Sequence, residues 1–277
     1  MRKSGGRAKG GILKIGTQAQ RSTAISASNA DTIVVRGHDL CKELVGAITF
    51  TDHVWLLITG QMPNAGQRRV LDATLVAIAE HGLVPSVAAS RMTLAAAPEA
   101  LQGAVAAGIL GCGSVILGSA ESAARLFAAI GARDGAPDVA ARAALNELRA
   151  GHKPVPGYGH PLHKRQDPRV ARLLAVATEA GLAGRHVEVA ALVERLLPEI
   201  WNKPLAMNVS GAIAAVLLDA GYPLSAVKGV PILARTASLV AHLTEEQQRP
   251  IGFVVADEGA GAIDYDGRRP DGFTPGD

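Results

Sequence analysis

Aromatic side chains are scarce in this 277-residue chain, at 3%: four Phe, three Tyr and two Trp. That excludes the nucleic-acid modules that stack bases on aromatic platforms. It also leaves the core to Ala, Leu, Val and Ile. Alanine favours helices and disfavours strands, so the composition points to an all-α fold. Cysteine is nearly absent. Cys41 and Cys112 form no CxxC pair and no Cys/His cluster, which excludes a zinc finger or a disulfide scaffold and fits a reducing, cytoplasmic setting. Charge is modest, with 19% charged residues and a net charge of +3. The balance is too weak for a dedicated DNA binder, yet it favours a polyanionic small molecule. Hydrophobic residues, at 48%, are ample for a core of one large domain or two modest ones.

No charge occurs between Ala100 and Ala120, a length able to cross a bilayer. Gly103, Gly108, Gly111, Gly113 and Gly118 dilute its hydrophobicity, and Glu99 and Glu121 flank it without a Lys/Arg bias. A buried pair of helices meeting at glycines is the reading adopted, with no membrane partner. Acids are absent before Asp31, while Arg2, Lys3, Arg7, Lys9, Lys14 and Arg21 precede it, so residues 1–30 read as a basic arm. Helical signals follow. Asp39 caps a helix through Val45, Thr51 caps one ending before Gly60, and Leu71, Leu75, Ile78 and Ala79 form an apolar stripe ending near His81. Further helices are expected from Ser86, Glu99 and Ser114, over Pro137–Ala150, Pro168–Glu179, His186–Trp201 and Asn208–Ala220, and from Pro231 to Gln247. The segment after Asp257 reads as a loose tail. No alternating run is long enough for a sheet.

The most unusual segment is Pro154–Arg169, PVPGYGHPLHKRQDPR, with four prolines and two glycines. These enforce a rigid, non-helical loop. Gly157 and Gly159 are able to take positive φ and leave backbone N–H groups open to a ligand. His160 is followed by His163, Lys164 and Arg165. Asp167 caps the next helix with Pro168 at its first position, which puts Arg169 in the first turn, where a cation works against the helix dipole. An anion nearby is therefore expected. From spacing alone, a solvated surface loop and a ligand-holding loop fit equally.

This loop resembles the CoA-binding and catalytic loop of the citrate synthase superfamily, whose motif reads PGYGH, a basic pair and DPR. Glu43–Pro63 (ELVGAITFTDHVWLLITGQMP) is similar to the family's early helices, and Ile232–Pro250 (ILARTASLVAHLTEEQQRP) to its last, with matching blocks in order from about Ala24 to Gly252. The block Ser28–Leu40 and the short length are most like the small citryl-CoA lyase branch, itself similar to the C-terminal module of ATP-citrate lyase. The resemblance implies a large helical domain (31–126 and 204–256), a small helical CoA-binding domain (127–203), a cleft between them, and a homodimer. It implies making or breaking a C–C bond between a CoA thioester such as acetyl-CoA and a 2-oxo acid such as oxaloacetate, with CoA as substrate or product, no permanently bound cofactor and no metal.

By the same resemblance, His160 matches the histidine that bonds the substrate carbonyl or hydroxyl oxygen, a task suited to an imidazole. Arg169 and Arg235 match arginines that clamp carboxylates, for which a guanidinium fork is suited. Arg249 matches an arginine contributed across the dimer interface, and His81, in EHGLVPSVAASR, a histidine of the oxoacid pocket. Val155, Pro156, Gly157, Tyr158 and Gly159 would hold the adenine, with Lys164 and Arg165 at phosphates. Other readings stay open: His81 also suits a helix end, and Arg235, on one face with Leu239 and His242, also suits a surface salt bridge.

Two departures stand out. Leu117 occupies the place of a histidine in the family's PLHG-like turn, a change the lyase-like branch tolerates. Asn208-Val209-Ser210 replaces the NVD segment whose aspartate is the family's acid–base group. A serine hydroxyl is no general base without an activating partner, and Asp219 is about three turns further along the same helix. Ser210 argues against efficient citrate synthesis. It leaves a lyase-type enzyme, or alternatively a non-catalytic homologue that binds CoA and carboxylates.

Overall fold

The structure, a computed structural model, describes residues 22–115, 117–133, 135–159 and 166–273. The chain falls into two compact units, Met1–Met62 and Pro63–Asp277.

The first unit contains a small antiparallel sheet of β1 (Ser26–Ser28), β2 (Ile33–Val35) and β3 (His38–Asp39), paired in that order. Ser26 lies opposite Val35 and Val34 opposite Asp39. Asn29 makes the first turn by accepting from the N–H groups of Asp31 and Thr32 at 2.9 and 2.8 Å; Arg36 and Gly37, both at positive φ, make the second. This sheet runs against the all-α expectation, because strands of two or three residues are too short to show alternation and β1 lies within the stretch read as an arm. Asp39 caps a π-helical turn over Leu40–Leu44, accepting from Cys41 and Lys42 N–H at 3.0 Å. Helix α1 (Phe50–Thr59) starts at Thr49 rather than Thr51. Thr49 and Asp52 form a reciprocal capping box that only this spacing allows, and Thr51 is buried inside the helix. Val35, Leu44 and Leu56 form the core of this unit.

The second unit is helical: α2 (Ala65–Ala79), α3 (Pro85–Ala96), α4 (Leu101–Leu110), α5 (Ser119–Ala132), α6 (Pro137–Ala150), α7 (Pro168–Glu179), α8 (Arg185–Trp201), α9 (Val209–Asp219), α10 (Gly229–Gln248) and α11 (Gly252–Gly261). Proline at the first position starts α3, α6 and α7, where its missing N–H costs nothing. The uncharged stretch from 100 to 120 is not the expected buried pair of helices: it holds one helix, α4, of which only Ala104 and Gly108 are buried, and the first two residues of a second, α5. The second begins at Ser119, not Ser114, because Leu117 adopts φ 65° just before it. The expected loose tail begins later than Asp257, since α11 runs to Gly261.

Helix α9 is surrounded. Val209 and Gly211–Leu217 are all buried, against α5, α8, α7 and α2, which explains its apolar character on every face. Asp219, at its end, accepts from the N–H groups of Gly184, His186 and Val187 at 2.8–2.9 Å and lies 2.8 Å from His186 Nδ1. It satisfies the start of α8, which Gly184 leaves without a side-chain cap. A second group packs α3, α4, α10 and α11, with Leu94, Ala104 and Leu243 at its centre. Arg91 is buried there, donating from Nε to Glu246 at 2.7 Å and from Nη1 to Glu245 at 3.0 Å. Glu246 also accepts from Ile251 and Gly252 N–H, which starts α11.

Candidate functional site

The described part of the proline-rich loop is a strip pinned to the segment before α9. Gly159 N–H donates to Ala206 O at 2.8 Å, Asn208 N–H to Gly157 O at 2.9 Å, and Asn208 Nδ2 to Gly159 O at 2.7 Å. Gly157 and Gly159 do take positive φ, 86° and 77°. Their use differs from the expectation: the Gly159 N–H is spent on Ala206. Gly157 is there for close approach, since a Cβ on it would lie 2.8 Å from the Cα of Gly211. Val155 and Tyr158 are buried. The Tyr158 ring meets Phe127 edge-on at 6.2 Å and its hydroxyl donates to Ala190 O at 2.6 Å; burial pushes that phenol far above its ordinary pKa. Pro156 is half-buried beside them. A cavity of about 400 Å³ adjoins the strip, lined by Arg149, His152, Lys153, Pro154 and Trp201. His160, His163, Lys164 and Arg165 lie outside the described residues.

Asp167 begins α7 as expected, accepting from Arg169 N–H at 3.1 Å. It is also the anion that Arg169 requires. Arg169 donates to it from Nε at 2.9 Å and from Nη2 at 2.8 Å, a side-on fork within two residues of sequence. Asp167 is fully buried and takes a fourth hydrogen bond, 3.0 Å, from Val209 N–H. Burial alone would push its carboxyl up, but Arg169 and the Val209 N–H outweigh it and hold the group below its usual range. Asp167 thus ties Arg169 to the first turn of α9. Ser210 is next in that turn, half-buried, and Ser119 Oγ at the start of α5 donates to Ser210 Oγ at 2.9 Å. Leu117 is buried just before Ser119.

Arg235, in the second turn of α10, is 3% exposed, which removes the surface salt-bridge reading. Its Nε and Nη1 are buried without a hydrogen-bond partner. Burial pulls this guanidinium's pKa down and Arg169 pulls it further, while Glu80 and the Cys112 thiol act the other way. A buried cation with unfilled donors is costly until something anionic pairs with it. Glu80, just past α2, links this corner to His81. Its carboxylate accepts from His81 and Gly82 N–H and from Ser238 Oγ, and lies 2.9 Å from His242 Nε2. Burial raises the Glu80 carboxyl, yet Ser238, Gly82 and His242 together hold it below its usual value. His81 itself is exposed on that turn. Arg249 ends α10 with its side chain 81% exposed, 3.8 Å from Glu245.

Asp167 thus joins Arg169 to the turn that carries Ser210, while Arg235 lies within electrostatic reach of Arg169 and Glu80. The sequence reading missed Ser119, Glu80 and the fork of Asp167 on Arg169. Only the last had a local signal, the DPR spacing itself.

These features define a mainly helical protein with a buried, partly unpaired arginine on α10, and comparison with known proteins places it. The family described as citrate synthase, C-terminal domain, matches residues 63–252, and the chain belongs to that family. The solved structure of citryl-CoA lyase from Hydrogenobacter thermophilus is similar at 30% identity and a TM-score of 0.81, covering 91% of this chain and 97% of that one. An ATP citrate lyase from Methanosaeta concilii, solved with (3S)-citryl-CoA, shares the fold at 21% identity and a TM-score of 0.75, over 94% of this chain and 43% of that one. Among curated proteins, the citrate synthase-like protein oryE of Aspergillus oryzae is 27% identical over 71% of this chain and 45% of its own length. The citrate synthase of Haloferax volcanii is 26% identical over 69% of this chain and 50% of its own. The chain spans about half the length of these curated relatives.

Proposed function

We propose that this protein is a citryl-CoA lyase-type enzyme, joining or cleaving a C–C bond between acetyl-CoA or a similar acyl-CoA and oxaloacetate or a similar 2-oxo acid. The observation that carries the reading is Arg235: buried, with Nε and Nη1 lacking hydrogen-bond partners, and within electrostatic reach of Arg169, which Asp167 holds in a fixed direction. Two directed guanidinium groups suit a di- or tricarboxylate. In cleavage, His160 would take the proton of the tertiary hydroxyl as its C–O bond becomes a carbonyl. The electrons of the breaking C–C bond would pass to the thioester α-carbon as the acetyl-CoA enolate, which takes a proton from water. This direction asks nothing of Ser210 as a base; synthesis would. CoA would lie along Val155–Gly159, with its phosphates at Lys164 and Arg165. Arg149 and Lys153, which line the adjoining cavity with His152, support a polyanion at this end.

We further propose that residues 127–203 carry the CoA end and residues 31–126 with 204–256 the carboxylate end. The working form would be a homodimer in which the partner's copy of Arg249 completes the site. The exposure of Arg249 supports this. The two unpaired cysteines support a cytoplasmic setting.

A second reading, a non-catalytic homologue that binds the same ligands, is favoured by the hydroxyl pair where the family's aspartate belongs. Mass spectrometry of products from citryl-CoA decides between them, with His160→Ala as control. Acetyl-CoA and oxaloacetate formed by the wild type and not by the variant establish the lyase. CoA binding with no turnover establishes the silent homologue.

A further inference from the structure

Arg235 is buried with Nε and Nη1 unpartnered, yet a carboxylate lies within electrostatic reach of it: Glu80 acts on this guanidinium to favour its charged form. A buried cation with open donors ordinarily draws such a group into a direct pair. Here the carboxylate is already engaged. Glu80 Oε1 accepts from the N–H groups of His81, at 2.9 Å, and Gly82. Oε2 accepts from Ser238 Oγ and lies 2.9 Å from His242 Nε2. An ionised carboxylate offers about four lone-pair sites, and these contacts fill them.

Two of the four come from the helix that carries Arg235. Arg235, Ser238 and His242 follow one another on α10 at intervals of three and four residues, so they share one face of it. Glu80 is thereby held one to two turns beyond Arg235. His242 is fixed in its turn, because Arg91 Nη1 lies 3.4 Å from its Nδ1. A guanidinium only donates, so Nδ1 is the acceptor and the ring carries its proton on Nε2, aimed at Glu80. Arg91 is itself held by Glu245 and Glu246. The Glu80 side chain is half-exposed at the end of α2. Without its two bonds to α10 it has room to swing toward Arg235.

We infer that Ser238 and His242 are positioning residues that hold the Glu80 carboxylate near Arg235 but off its donors, so that Glu80 lowers the cost of burying the cation while the donors stay open to an incoming carboxylate. That role rests on the reading of Arg235 as a carboxylate site under the proposed function. Affinities of the full chain for oxaloacetate and for CoA are measured by calorimetry, with the melting temperature of each ligand-free protein. The proteins are the wild type, Ser238→Ala with His242→Leu, and that double variant with Glu80→Gln added. In the double variant the released Glu80 pairs with Arg235 and competes with the ligand. Oxaloacetate binding is expected to weaken about tenfold or more, with CoA binding unchanged. Adding Glu80→Gln removes the competing charge and is expected to restore oxaloacetate binding even where the melting temperature stays lowered, which a merely structural role does not allow. His242→Leu and His242→Gln, measured singly, carry the test where the double variant does not fold. Leu is expected to weaken oxaloacetate binding, and Gln, which keeps an N–H donor for Glu80, to preserve it; equal behaviour of the two overturns the inference. So does wild-type oxaloacetate affinity in the double variant, an equal loss for CoA, or a loss that Glu80→Gln does not reverse, and each of these leaves the carboxylate site standing. A wild type that binds CoA but not oxaloacetate overturns the reading of Arg235, and this role with it.

Discussion

Ser119 and Ser210, 91 residues apart, place their hydroxyls 2.9 Å from each other at the first turns of two packed helices. The family resemblance puts an acid–base carboxylate at the Ser210 position. The pair that stands there is neutral, able to donate and accept hydrogen bonds but not to take up a proton as a base near neutral pH.

Ser210→Asp restores that carboxylate in a prepared setting. The Ser119 hydroxyl is ready to donate to it, and a negative charge in the first turn of α9 is favoured by about 0.3–1 kcal/mol. Stability is expected to hold or rise. Turnover of citryl-CoA, or synthesis from acetyl-CoA and oxaloacetate, is expected to increase by roughly 10²–10⁴. Steady-state kinetics check this; an unchanged rate means the barrier lies elsewhere in the site.

Asp167→Asn removes the brace on Arg169 and weakens the acceptor of Val209 N–H. Carboxylate affinity should fall while CoA affinity does not. The acid limb of the stability profile carries the second signature. The Asp167 carboxyl is held below its ordinary value, near 3.9, so its contribution is complete above that pH and disappears as pH falls through the lowered value of the folded state. The wild type is therefore expected to be the more stable protein at neutral pH, with the gap to the variant closing below about pH 4. Melting temperatures between acid and neutral pH give the curve.

Gly211→Ala tests the contact of the loop strip with α9. A Cβ there would meet Gly157 O at 2.6 Å and Met207 Cγ at 2.9 Å. Overpacking of this kind costs about 1–3 kcal/mol. Thermal denaturation should show a loss of several degrees, with CoA affinity falling as the strip is displaced.

Glu246→Gln breaks a fully buried ion pair with Arg91 and unsettles the start of α11. The expected cost is about 3–5 kcal/mol, whereas Arg91→Met combined with Glu246→Leu should recover most of it. A double-mutant cycle in denaturant measures the coupling.

Most of the fold was legible because its helices carry local start signals. Asp39, Asp167 and Asn208 cap the elements they precede, and Pro137 and Pro168 stand at first positions. The errors have separate causes. Thr51 looked like a cap because it preceded an apolar stripe, whereas Thr49 has the partner three residues on. Leu117 delayed α5 by adopting a backbone conformation that its side chain does not announce. The three-stranded sheet was too short to show a period. In the site, Arg169 and Ser210 followed from the DPR and NVS segments through the family resemblance. Glu80 and Ser119 did not, because each acts through a residue more than ninety positions away.

The fork of Asp167 on Arg169 limits how that arginine meets a ligand. The Nε and Nη2 edge already faces a carboxylate of the chain itself. An incoming carboxylate is left with the far end of the guanidinium, approached head-on rather than from the side. In the proposed function Arg169 would meet the ligand only through Nη1 and the second Nη2 hydrogen, which fixes the ligand's direction of approach.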